Sequence, residues 1–103
     1  MFNTYKINVK KILKKDFSHN PEDAEIIVNE ILKNNPNNKN VEIDFKGIKT
    51  VNTAFCNVIY ESLKNGIAKQ MNVKLVNCNS FILETFNRVK DNYNSKAISN
   101  DLQ

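Results

Sequence analysis

Hydrophobic and polar positions alternate most regularly over residues 41–45, where Val41, Ile43 and Phe45 are separated by Glu42 and Asp44. A period of two is the signature of a strand with one buried face. Gly47, a residue suited to a tight turn, follows, and Ile48 and Val51 then return to apolar character. From residue 52 or 53 the period lengthens, and Ala54, Phe55, Val58, Ile59 and Leu63 recur at helical spacing. The pattern predicts a strand, a glycine turn and an amphipathic helix in direct succession. Sheets with crossover helices meet ligands and partners at the carboxyl ends of their strands, which here is where Asn52 and Thr53 open the helix.

The rest of the chain falls into the same two periods. Residues 4–9 alternate, with Tyr5, Ile7 and Val9 on one face and Thr4, Lys6 and Asn8 on the other, which predicts a half-exposed edge strand whose lysines discourage self-association. Ile12, Leu13 and Phe17 are apolar anchors in the segment that follows, which is either a short second strand or an irregular connection. A helix is predicted next: Asn20 suits the N-cap, Pro21 the first helical position, and Glu22 and Asp23 the first turn. Ala24, Ile27, Val28, Ile31 and Leu32 form its apolar face, and Asn34 to Asn40 reads as a polar connection broken by Pro36. The helix that starts near Thr53 either runs past Gly66 or is capped there, with Ile67 folding back on Leu63. A short strand over residues 73–77 follows, then a helix from Asn79 or Ser80 with Ile82, Phe86, Val89 and Tyr93 along one stripe.

This alternation of strands and helices predicts one α/β domain over residues 1–93, with a mostly parallel sheet of about four strands, about three helices packed on it, and a polar C-terminal tail at 94–103 that frays. A chain of 103 residues, 41% hydrophobic and with two Gly and two Pro, supports one core without disulfides. No apolar run approaches a membrane span, and the first residues do not form a secretory block, so a cytoplasmic protein is expected. Cys56 and Cys78 are too few for a disulfide framework and lack metal-ligand spacing.

The formal net charge of +4 raises the question of a polyanionic partner, and Lys10, Lys11, Lys14 and Lys15 crowd one short stretch. Against nucleic-acid binding, the other lysines are scattered, Arg88 is the only arginine, and no aromatic residue interleaves the cluster. A solvated basic surface is the simpler reading of the cluster, with nucleic-acid association as the alternative. A homodimer built on the edge strand is a further expectation.

Enzymatic chemistry finds little support. His19 is the single histidine and sits beside a helix cap; Cys56 lies on or beside an apolar strip; Asp44 is a lone carboxylate placed to hold turn amides or the helix start. There is no phosphate-binding glycine loop, metal spacing or carboxylate pair, so neither cofactor nor metal is expected.

The run IDFKGIKTVNTAF, residues 43–55, resembles the strand-turn-helix signature of STAS-type domains, the fold of bacterial anti-sigma-factor antagonists, and more closely the STAS-like family of small bacterial proteins. Asp44, Phe45, Gly47, Ile48, Val51 and Phe55 carry the match, with Asp44 and Gly47 as structural residues of the turn. In the antagonists the turn holds an acidic residue, two serines and a glycine, the second serine being phosphorylated. Those positions are Asn52, Thr53, Ala54 and Phe55 here, so the acceptor position carries no hydroxyl and Thr53 is the nearest one. The resemblance implies a STAS-like fold and a non-enzymatic, regulatory protein-binding module. It also implies a partner such as an ATP-binding, histidine-kinase-like protein, contacted through Lys49, Thr50, Asn52, Thr53 and Asn57, with Thr53 as possible phospho-acceptor.

Overall fold

The computed structural model describes residues 4–34, 40–65 and 72–101, with side chains described as far as residue 62 in the third helix and residue 92 in the last. The elements run β1 (Thr4–Asn8), α1 (Val9–Leu13), β2 (Phe17–Ser18), α2 (Pro21–Asn34), β3 (Asn40–Asp44), β4 (Thr50–Val51), α3 (Thr53–Asn65), β5 (Asn72–Val76) and α4 (Ser80–Asp101). The α/β class and the parallel sheet are as the sequence predicts. The element count is higher than expected because the connection after β1 contains α1 and β2, and the turn after β3 contains β4.

β3 is the middle strand of a three-stranded parallel sheet ordered β1-β3-β5. Ile7, Ile43 and Leu75 stand in one row, and Tyr5, Val41 and Val73 in another. Successive crossovers step in one direction across the sheet, which puts their helices on one face. α2 packs on α3, and α3 on α4. Between this helical layer and the sheet lies one core, including Ile7, Val9, Ile27, Ile31, Val41, Ile43, Phe45, Val51, Phe55, Ile59, Ile82, Phe86 and Val89. The Phe45 ring is its centre. It meets Phe55 edge-on at 6.3 Å and Phe86 at 5.7 Å, a favoured aromatic geometry.

Several expectations need correction. β1 ends at Asn8, whose side chain accepts from the Lys11 amide and so starts α1; Val9 is buried as the first helical residue instead of the last strand residue. Phe17, expected as an anchor, is 42% exposed, while Ile12 and Leu13 do pack against the core. On α2, Ala24, Ile27 and Ile31 are buried and Val28 partly so, but Leu32 is 53% exposed because the buried arc has turned past it. On α3 the buried positions are Phe55, Cys56 and Ile59, with Ala54 exposed. The last strand is shifted by one residue, since Asn77 takes a left-handed conformation with φ 57° and ends it. Of the polar connection expected over 34–40, Asn34 ends α2 and Asn40 begins β3, while residues 35–39 lie outside the described residues, as do Gly66, Ile67 and the side chains of Leu63 and Tyr93. α4 continues through residues 94–101, where a polar tail was expected.

The opposite face of the sheet is polar. Lys6, Glu42 and Lys74 share one row across the three strands, and Asn8, Asp44 and Val76 the next. Alternating charge suits neighbouring strands within the sheet. It opposes edge-to-edge growth, because an antiparallel copy of β1 centred on Lys6, or of β5 centred on Lys74, would set lysine against lysine. An open hollow of about 450 Å³ lies at the amino end of this face, lined by Thr4, Asn40, Glu42, Asn72 and Lys74 among others. It is at the far end of the strands from the turn that the sequence singles out.

Candidate docking edge

The carboxyl edge of the fold is tied together by asparagines. Asn8, Asn20, Asn52 and Asn79 each accept, through the side-chain oxygen, a hydrogen bond from the amide three residues on, at 2.8, 2.9, 2.9 and 2.8 Å. All four helices among the described residues therefore start on an asparagine cap, each satisfying an amide that has no partner within its own helix. Two of these caps also reach across the edge. Asn52 Nδ2 donates to the His19 carbonyl at 2.6 Å, and Asn79 Nδ2 donates to the Lys49 carbonyl at 3.0 Å and the Ile48 carbonyl at 3.3 Å.

The turn between β3 and α3 is thereby held from both sides. Gly47 has φ +85°, a conformation that side chains resist, and a β-carbon there would fall 2.8 Å from Lys10 Cδ. Asp44 accepts from the Lys46 amide in the turn and from Asn77 Nδ2, each at 2.9 Å. The Asn77 hydrogen bond is the main reason that the Asp44 carboxyl titrates below the ordinary carboxylate range. After the turn, β4 lies parallel to β2, with Thr50 opposite Phe17 and Val51 opposite Ser18. The Lys49 amide donates to the Asp16 carbonyl at 2.6 Å and the Asn52 amide to the Ser18 carbonyl at 3.1 Å, which extends this two-residue ladder at both ends.

Of the expected contact residues, Lys49 and Thr53 are exposed on this frame and Thr50, Asn52 and Asn57 are half-buried in it. The Lys49 side chain is 79% exposed and reaches Asp16 at 3.4 Å, a surface pair of small energetic value. Thr53 is exposed as the first helical residue, and Asn57, half-buried, follows one turn later on the same side. Ala54, at the acceptor position of the antagonists, is also exposed. Thr50 is half-buried, and its hydroxyl is engaged by His19 Nε2 at 2.7 Å. Asn52 is the helix cap and clamp just described, which makes it part of the frame beneath the surface.

His19 and Phe17 were not foreseen at this site. Their rings lie 5.3 Å apart, and Lys15 Nζ sits 5.1 Å from the centre of the Phe17 ring. The sequence signal was available only as proximity to the lysine cluster, since the pairing of residue 17 with residue 50 is long-range. The structure thus brings two separate expectations to one edge. Lys10 overlies the Gly47 turn, and Lys15 flanks the strand that pairs with Thr50.

The two thiols are held protonated. Burial, with a smaller contribution from Cys78, pushes the Cys56 thiol up to about 12, and burial also raises Cys78. Thiolate is the reactive form, so Cys56 in the folded chain at pH 8 is expected to react with a disulfide reagent roughly three orders of magnitude more slowly than an ordinary thiol. Thiol titration with and without denaturant checks this. Rapid labelling of Cys56 in the folded chain would mean that the first turn of α3 opens readily.

A parallel α/β module, with its helix starts gathered on one edge around a glycine turn, is the class that this geometry defines. A family model described as a STAS-like domain of unknown function (DUF4325) matches residues 23–80. That span runs from the first turn of α2 through the β3–α3 turn to the start of α4, more than half of the chain, and the chain belongs to this STAS-like family. No curated protein and no solved structure matches it. Among the described residues no helix is long and apolar enough to cross a membrane.

Proposed function

We propose that this STAS-like chain is a non-enzymatic, cytoplasmic regulatory module that docks to a protein partner through Lys49, Thr50, Thr53 and Asn57. Asn52 holds the pose from below, and the partner is of the ATP-binding, histidine-kinase-like class. The observation that carries the reading is the clamping of the β3–α3 turn. Asn79 binds its carbonyls, the β2 ladder binds its amides, and the Asn52 cap binds its end. A turn already fixed in one conformation loses little entropy when a partner closes over it, and preorganisation of that kind favours binding. STAS-like domains are generally non-catalytic, which agrees with the reading.

A switch would act on Thr53. Its hydroxyl is exposed at the first position of α3, where an added phosphate would gain from the helix dipole while placing negative charge in the contact surface. The test is recovery of partners by tagged chain from extracts of its own cells, with and without nuclease, followed by mass spectrometry. One ATP-binding protein, indifferent to nuclease and lost with Thr53→Glu but kept with Thr53→Ala, is the expected result. If both substitutions leave recovery unchanged, the switch is lost and the docking surface stands. If nothing nuclease-resistant is recovered, the docking surface fails as well.

A further inference from the structure

Beyond docking at α3, we infer that the adjoining part of the same edge, α1 and β2, is a binding patch for single-stranded nucleic acid, with Phe17 as the base-stacking platform. The objection raised by the sequence was a lysine cluster without aromatic residues. In the structure the cluster has an aromatic neighbour. Phe17 is 42% exposed on a strand of two residues, with the Lys15 ammonium 5.1 Å from its centre and the exposed His19 ring 5.3 Å away at 51°. Nothing in the core requires an aromatic ring there.

Charge around the ring is unevenly spent. Lys15 is paired with the buried Asp23 at 2.6 Å and Lys49 with Asp16 at 3.4 Å. Lys10, Lys11 and Lys14 are exposed and have no ion pair among the described residues. Lys10 and Lys11 lie in α1 and Lys14 is its C-cap, so the three side chains leave one short segment just ahead of Phe17. Three exposed lysines on the segment that leads into an exposed ring supply both requirements of a single-strand site, a backbone-tracking positive surface and a platform for an unpaired base. A duplex would satisfy only the first, because its bases are already stacked. An acidic protein surface would likewise use the lysines and leave the planar face of Phe17 without a role.

The test is fluorescence anisotropy with labelled 12-residue oligouridylate and oligothymidylate, the matching duplexes, and a polyglutamate peptide as competitor. The full chain is compared with Phe17→Leu, Phe17→Tyr and the pair Lys11→Glu/Lys14→Glu. Leucine keeps the apolar bulk without the planar face, so a folding defect and a stacking defect are separable, and circular dichroism of each variant confirms the fold. Expected are single-strand binding by the wild-type chain and Phe17→Tyr, roughly tenfold weaker binding by Phe17→Leu, and loss with the double lysine substitution. Three neutralised phosphates predict a slope of about −2 in log affinity against log salt. Absence of single-strand binding overturns the inference. So does equal affinity for duplex, an unchanged Phe17→Leu, or competition by polyglutamate at equal charge, the last assigning the patch to an acidic protein surface.

Discussion

Phe45→Ala is expected to lower the unfolding free energy by about 3–5 kcal/mol, the usual cost of deleting a fully buried aromatic ring. The ring has 0% exposure and joins three parts of the fold, since its two aromatic partners lie on α3 and α4 while its own backbone continues β3. Its amide also donates to the Val76 carbonyl at 2.9 Å, so the residue cannot swing away to let the cavity collapse without disturbing the β3–β5 edge. A domain of this size has on the order of 5–15 kcal/mol of stability in all, and the melting temperature should fall by roughly 20 °C. Phe81→Ala provides the contrast. Phe81 is 50% exposed on α4, and its removal should cost less than about 1 kcal/mol. Urea denaturation of both variants, with the slope unchanged from wild type, checks the pair of values. A Phe45→Ala loss no larger than that of Phe81→Ala would mean that the three-ring contact does not form the centre of the core.

The elements read most easily from sequence are those in which one periodicity runs long enough to separate two environments. Residues 41–45 alternate cleanly because β3 is covered by helices on one face and left polar on the other; a strand covered on both faces would have read as a continuous apolar run. The start of α2 was legible because Asn20, Pro21 and Glu22 act locally, on amides or dipoles within a few residues, whereas Asp23, expected to face the helix dipole, is buried against Ser18 and Lys15. α1 was missed for the opposite reason. Its five residues, VKKIL, are too few to show a period, although Val9, Ile12 and Leu13 pack on the core; the Asn8 cap and contact with α2 hold it.

The candidate edge was half legible on the same grounds. The glycine turn and the helix start at Asn52 and Thr53 lie within a few residues of one another. The members brought from afar were not visible: His19 meets Thr50 across 31 positions, Asn79 reaches Lys49 across 30, and Asn77 reaches Asp44 across 33. A high asparagine content reads as composition until the fold shows that each of the four caps serves a different helix, and that two of them fasten distant loops. Phe17 illustrates the reverse error. An isolated aromatic residue in a lysine-rich stretch was read as an anchor, because apolar residues are expected inside, yet that rule does not exclude exposed ones.

Asp23→Ala should be the most damaging single polar change near that edge, at about 2–3 kcal/mol. The Asp23 carboxylate is nearly inaccessible and accepts from Ser18 Oγ at 3.0 Å while pairing with Lys15 at 2.6 Å. Ser18 has 0% exposure, so removal of the carboxylate strands a buried hydroxyl, and Lys15 loses the partner that sets its position over Phe17. Asp23→Asn should cost less, because an amide oxygen still accepts from Ser18. The double change Ser18→Ala/Asp23→Ala should recover part of the loss of Asp23→Ala, as no orphaned hydroxyl remains, and the coupling from the four-member cycle measures the buried bond directly. The effect should reach the docking edge through β2, since Ser18 and Asp16 accept the amides of Asn52 and Lys49. Hydrogen exchange at those two amides is therefore expected to quicken in Asp23→Ala and to remain slow in Asp23→Asn. Equal exchange in both variants would show that the ladder is held by its own backbone, and that the buried carboxylate stabilises α2 without governing the edge.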